Sequence, residues 1–151
     1  MTVNDARVRR PAQHEVLIQQ LREEGGFPTM RDVLLFAAGL GVSTDRRIPF
    51  DRSGESIRYE TVTAEVFSES FISMMAASIT QEDPEILDGA RLPERIQIFE
   101  EYANGGLEYL QEQINVRRQP LEVVVRSLVT EALTGVGKID PVSVDELLRA
   151  L

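Results

Sequence analysis

Apolar residues along this chain recur mostly at steps of three and four, the period of one helix face. The pattern is clearest at Ile96, Phe99, Ala103, Gly106, Leu107, Leu110 and Ile114. Pro93 suits the first turn, where its missing N–H has no intrahelical partner, so the spacing predicts a long helix over 93–114. Asn104-Gly105-Gly106 interrupts it. Two interior glycines cost roughly 2 kcal/mol relative to alanine, and Asn-Gly is a common left-handed helix end. Two readings follow: one continuous helix whose glycines admit another backbone, or two helices meeting at an Asn-Gly cap. The apolar face stays in phase across the glycines, which makes the first the working expectation. Tyr102, Asn104, Gly105 and Gly106 form its structural motif.

The same period predicts further helices. One runs from Pro11 to about Glu24, with Val16, Leu17, Leu21 and His14 towards the core, and Gly25-Gly26 ends it. Thr29 can cap a second, Met30 to Leu40, closed by Gly39 and Gly41; its apolar residues surround it, the mark of a central helix. A third occupies 64–79, with Val66, Phe67, Phe71, Met74, Met75 and Ile79 as ordinary core. Asp83-Pro84 starts a helical turn at Glu85 to Leu87, ended by Gly89, and Pro120 opens a helix over Leu121 to Leu133, ended by Gly135-Val136-Gly137. Ser143-Val144-Asp145-Glu146 is a capping box for a short terminal helix. Only Ile57, Tyr59 and Thr61 alternate with polar neighbours, predicting a small ribbon in which 57–59 pairs with 48–50. Pro49 restricts that partner to an edge. Residues 1–10 read as a flexible arm. The fold expected is mainly α: a single compact helical domain over 11–151, of about five to seven helices with a minor two-stranded β ribbon.

Composition narrows the chemistry. There is no cysteine, which excludes disulfides, thiolate metal sites and cysteine nucleophiles. The start of the chain lacks a signal-peptide run and no apolar stretch reaches membrane-span length, so a cytoplasmic protein is expected. The net charge of −9 is concentrated in residues 59–115, where two basic residues face twelve acidic ones, a balance of −10. Such a segment repels nucleic acid, and suits either solvent or a basic partner.

No phosphate-binding loop is present, and a serine mechanism lacks a base because His14 is the only histidine. Asp32, Asp45, Asp51, Glu100 and Glu101 could converge on a divalent ion, although their spacing does not require it. No cofactor, no metal and no catalytic residue are expected. Fifteen of the sixteen basic residues are arginine. Arg46, Arg47, Arg52 and Arg58 cluster by the ribbon, where their forks suit phosphate or carboxylate oxygens. Asp45, Asp51 and Glu55 lie between them, so internal ion pairing is the competing reading.

The stretches Phe27-Pro28-Thr29-Met30-Arg31-Asp32-Val33-Leu34-Leu35-Phe36-Ala37-Ala38 and Ile98-Phe99-Glu100-Glu101-Tyr102-Ala103-Asn104-Gly105-Gly106-Leu107-Glu108 resemble a small bacterial family, DNA phosphorothioation-associated protein 4 of Dnd systems. The resemblance covers most of 11–115. It implies an accessory role beside enzymes that place sulfur in the DNA backbone or restrict DNA lacking it, and supplies no catalytic residues. The expected function is therefore an adaptor in phosphorothioation-linked phage defence or restriction, with other proteins of that system as partners. DNA would be reached through a complex, no membrane is involved, and homo-oligomer formation stays open. The alternatives are direct DNA binding through the arginines at 46–58 and a metal-dependent nuclease.

Overall fold

The computed structural model describes residues 5–137 and residue 149. A two-residue strand, β1 (Arg7–Val8), precedes a 3-10 turn at Ala12–His14 and the helices α1 (Glu15–Glu23) and α2 (Met30–Ser43). β2 (Ile57–Arg58) leads into a short α3 (Tyr59–Val62) and then α4 (Val66–Ile79). Two 3-10 turns, Pro84–Leu87 and Gly89–Arg91, deliver the chain to α5 (Leu92–Arg117), and α6 (Leu121–Gly137) packs beside it. The capping box at 143–146 and the helix expected after it lie outside the described residues.

α5 is one unbroken helix of 26 residues, glycines included. Fourteen of its residues are buried, among them the whole run from Ile98 to Leu107, so α5 is the axis on which the other elements pack. Its most extensive partner is α2. Pro93 sits in its first turn, and Arg118, with φ 53°, ends it in the left-handed region before Pro120. Arg95, almost fully buried, donates from Nη1 to the carbonyls of Ile86 (2.6 Å) and Asp88 (2.8 Å), which fixes the preceding turn to α5.

Thr29 caps α2 as expected, its hydroxyl oxygen accepting from the Asp32 N–H at 3.2 Å. α2 does not stop at Gly39 or Gly41; it runs to Ser43. The stop comes from Asp45, whose φ of 54° allows Arg46 N–H to reach the Gly41 carbonyl (2.8 Å) and Asp45 N–H the Val42 carbonyl (3.2 Å). This is the six-to-one and five-to-two pairing of a Schellman end, with aspartate in the position glycine usually fills. Gly41 has a different task, to admit the backbone of α5 at Tyr102.

Four expectations need correction. The ribbon pairs β2 with β1, antiparallel, in the register Arg7 with Arg58 and Val8 with Ile57. Ile48–Phe50 instead lies along α5. The N-terminal residues from 6 to 10 are therefore held: Ala6 and Val8 are fully buried, and Ala6 accepts from the Tyr59 N–H at 2.9 Å. Their period-two alternation with Arg7 and Arg9 is the strand signal that the arginine-rich composition obscured. In α1 the buried face is Leu17, Ile18 and Leu21, and Val16 is exposed. In α4 the buried residues are Ser68, Ile72, Met75 and Ala76, whereas Val66, Phe67 and Met74 face outward.

Candidate functional site

Two features stand out on this frame: a polar strap across α5, and an apolar face that no described residue covers. The strap is residues 46–54. Its course depends on the two glycines of α5, which point about 100° apart. A Cβ on Gly106 would overlap the Ala37 carbonyl oxygen and lie 2.7 Å from its carbon and 2.9 Å from Gly41 N. A Cβ on Gly105 would overlap the Arg46 carbonyl oxygen, 2.6 Å from its carbon. Gly41 answers from α2, where a Cβ would overlap the Tyr102 carbonyl oxygen. Gly106 and Gly41 thus let α2 and α5 touch backbone to backbone, and Gly105 admits the strap. The two stretches that carry the family resemblance are the two sides of this crossing.

Asn104, fully buried, ties the strap down. Its amide donates to the Ile48 carbonyl at 3.0 Å, and its oxygen accepts from Gln13 at 3.1 Å. Ile48 N–H donates to the Glu101 carbonyl at 3.0 Å. The buried Glu101 carboxylate accepts from Arg47 Nε at 2.8 Å. The buried Glu100 carboxylate takes the backbone N–H of Arg9 at 2.5 Å and its guanidinium at 3.2 Å, while that guanidinium also lies 4.7 Å from the centre of the Phe50 ring. Burial pushes the Glu100 carboxyl above the usual glutamate value; the bonds from Arg9 oppose it. His14, half-buried, is held below its ordinary value by burial against the opposing charge of Glu108. It sits beside Gln13 and has no triad-like partner among the described residues.

The four arginines separate. Arg46 bonds Glu112 at 2.8 Å, lies 3.6 Å from Glu108 and stacks 5.1 Å from the Tyr109 ring centre. That hydrogen bond raises the Arg46 pKa and lowers that of Glu112. Arg47 holds Glu101. Arg58, on β2, makes an exposed pair with Glu60 at 3.5 Å. Arg52 is exposed and makes no ion pair among the described residues. It borders a broad groove of about 1020 Å³ with Gln13, Phe50 and Glu108. Asp32, Asp45, Asp51, Glu100 and Glu101, which could have converged on a divalent ion, do not: among the described residues no group of three or more His, Asp or Glu side chains is placed to hold an ion.

The second feature escaped the sequence reading. Phe67 and Met74, 74% and 71% exposed, stand on the outer side of α4 with Val66, 83% exposed. An apolar hollow of about 420 Å³ opens between Leu35, Phe36 and Leu40 of α2, Phe67 and Phe71 of α4, and Leu133 of α6. Phe67 also borders a second hollow, of about 310 Å³, with Val42 and Met74. The sequence carries a signal for it: Glu69 is the single charge in the fourteen residues of α4. A helix with a solvent side normally shows charges there.

These features define the class: a mainly α-helical protein with one two-stranded antiparallel sheet, in which no helix among the described residues is long and apolar enough to cross a membrane. The chain belongs to the family described as DNA sulphur modification system-associated protein 4, whose family model matches residues 7–141. That membership associates it with a DNA sulphur modification system, as the two motif stretches implied. Comparison with curated proteins and with solved structures yields no match.

Proposed function

We propose that this protein is a cytoplasmic adaptor of a DNA sulphur modification system linked to phage defence or restriction, and that it works by binding other proteins of that system. One observation carries the reading: the apolar face formed by α2, α4 and α6, which no described residue covers. Phe67, Met74, Val66, Val42, Val129 and Leu133 are all substantially exposed on or beside it. At ~150–200 Å² for a side chain of this kind they offer roughly 600 Å², close to the ~800 Å² that one partner contributes to a stable interface. A patch of this size is at the upper end of what monomers expose.

The arginines take a structural part in this reading. Arg46 and Arg47 hold the strap against α5, and Arg52 is left with an open fork for a partner's carboxylate. The acidic surface of residues 59–115 opposes direct binding to DNA. The test is reconstitution with purified proteins of the cognate system. A Phe67→Glu, Met74→Glu chain that folds normally loses its partner, while an Arg46→Gln, Arg58→Gln chain keeps it. Retained binding by the first variant overturns the assignment of the face.

A further inference from the structure

We infer that the occupant of this face is an amphipathic helix of a partner protein, about four turns long, with an apolar ridge and basic residues at both ends. The inference rests on the adaptor reading and adds the partner's chemistry. It comes from the order of charges along α4. Between Val66 and Ile79 the outward side carries Val66, Phe67, Ser70, Met74 and Ser78, all exposed and none charged. Glu69, also exposed, lies about 200° round the helix from Phe67 but about 60° from Val66, so it marks the flank of that side. Exposed acids stand at both ends: Glu65 before the helix, with Glu60 beside it already paired to Arg58, and Glu82, Glu85 and Asp88 after it. Fourteen residues at ~1.5 Å each separate the two acidic ends by roughly 20 Å. The layout is acid, apolar, acid.

A helix laid in the hollows would seat large apolar side chains at i, i+3 or i+4 and i+7 against Phe67, Phe71 and Met74. Complementary charge at its ends requires Lys or Arg. The same layout disfavours the other occupants. In an antiparallel pairing of α4 with a second copy, the Glu60 and Glu65 end would meet the copy's Glu82 and Glu85 end. A parallel pairing sets each acidic end on itself. The chain's own residues 138–151 hold Lys138 and Arg149 against Asp140, Asp145 and Glu146, two basic and three acidic, a balance of −1. They too are the wrong sign.

The experiment uses the full chain and two labelled synthetic helical peptides with the same leucine ridge. One has two arginines at each end, the other two glutamates. Fluorescence anisotropy measures both at about 50 mM and about 300 mM salt, where the screening length shortens. The basic peptide is expected to bind about tenfold or more tightly than the acidic one, with the advantage shrinking at high salt. Phe67→Glu with Met74→Glu abolishes binding, and Glu65→Lys with Glu82→Lys narrows or reverses the preference; unchanged melting temperatures certify both folds. Equal affinity for the two peptides, binding of neither, or binding unaffected by the face variant overturns the inference. So does a dimer in sedimentation that Phe67→Glu dissociates, since the occupant is then a second copy. So does Leu147→Asp with Leu148→Asp raising affinity for both peptides alike, which places residues 138–151 in the hollow. If the peptides fail while the system's own protein is still lost on Phe67→Glu, only the partner's chemistry falls. If that protein is not lost, the adaptor face falls with it.

Discussion

Replacing Gly106 by alanine tests the helix crossing on which the rest of the molecule stands. In an isolated helix the change would stabilise by about 1 kcal/mol. Here the new methyl group meets the Ala37 carbonyl group and lies 2.9 Å from Gly41 N, all of it backbone. No rotamer change relieves such a contact. Ordinary separations of ~3.5 Å require α2 and α5 to part by roughly 1–2 Å. Parting them loosens Leu34, Ala37 and Ala38 against Phe99, Ala103 and Leu107, all buried. Overpacking of this kind costs about 1–3 kcal/mol, with lost contacts in addition. A net loss of about 1–2 kcal/mol is expected after the helix gain is credited, or a melting temperature lower by about 5 °C for a chain of this size. Urea unfolding followed by circular dichroism measures it as a lower midpoint with an unchanged slope. Gly39→Ala is the control, because its Cβ would meet only Phe71 Cζ at 3.8 Å, and it should gain up to about 1 kcal/mol. A Gly106→Ala protein as stable as the parent would refute the crossing.

The strap yields three further expectations. Glu100 has a folded-state pKa raised by burial, so its contribution to stability is full below the unfolded value and is lost as pH rises through the folded one. Glu100→Gln, which lacks that titration, should therefore gain on the parent in melting temperature between about pH 4 and 7; the opposite trend would mean that Arg9 outweighs burial. Arg47→Gln should cost about 1–3 kcal/mol in chemical unfolding, because it leaves the buried Glu101 carboxylate with the neutral Gln97 amide in place of its cation, and should cost more than Arg46→Gln, whose acidic partners are exposed. Asn104→Ala should lose about 1–3 kcal/mol, read in the same assay, by leaving the Ile48 carbonyl without its side-chain donor and the Gln13 amide without its acceptor.

The helical elements were legible because their signals are local: the Thr29 cap, Pro93 in a first turn, and an apolar face in phase across Gly105-Gly106. That phase also chose correctly between one helix and two. Gly39 and Gly41 misled the reading of α2, because a glycine that ends a helix and one that admits a neighbour look alike in sequence. Only the partner backbone at Tyr102 tells them apart. The ribbon failed for a related reason. Nearness in sequence favoured 48–50 as the partner of 57–59, whereas burial of Ala6 and Val8 brings in a strand some fifty residues away. The outer side of α4 was taken for core because Phe67 and Met74 are apolar, and apolar character alone does not tell a core from an interface.

On the function proposed above, the α2–α4–α6 face binds a protein of the sulphur modification system. The direct measurement is the affinity of the full chain for each purified protein of that system, by titration calorimetry, beside the Phe67→Glu, Met74→Glu variant. Both side chains are more than two-thirds exposed, so the variant should keep the parent's melting temperature. One partner is expected to bind the parent and to be weakened by about a hundredfold or more in the variant. Equal affinities for parent and variant, with both folded, would contradict it.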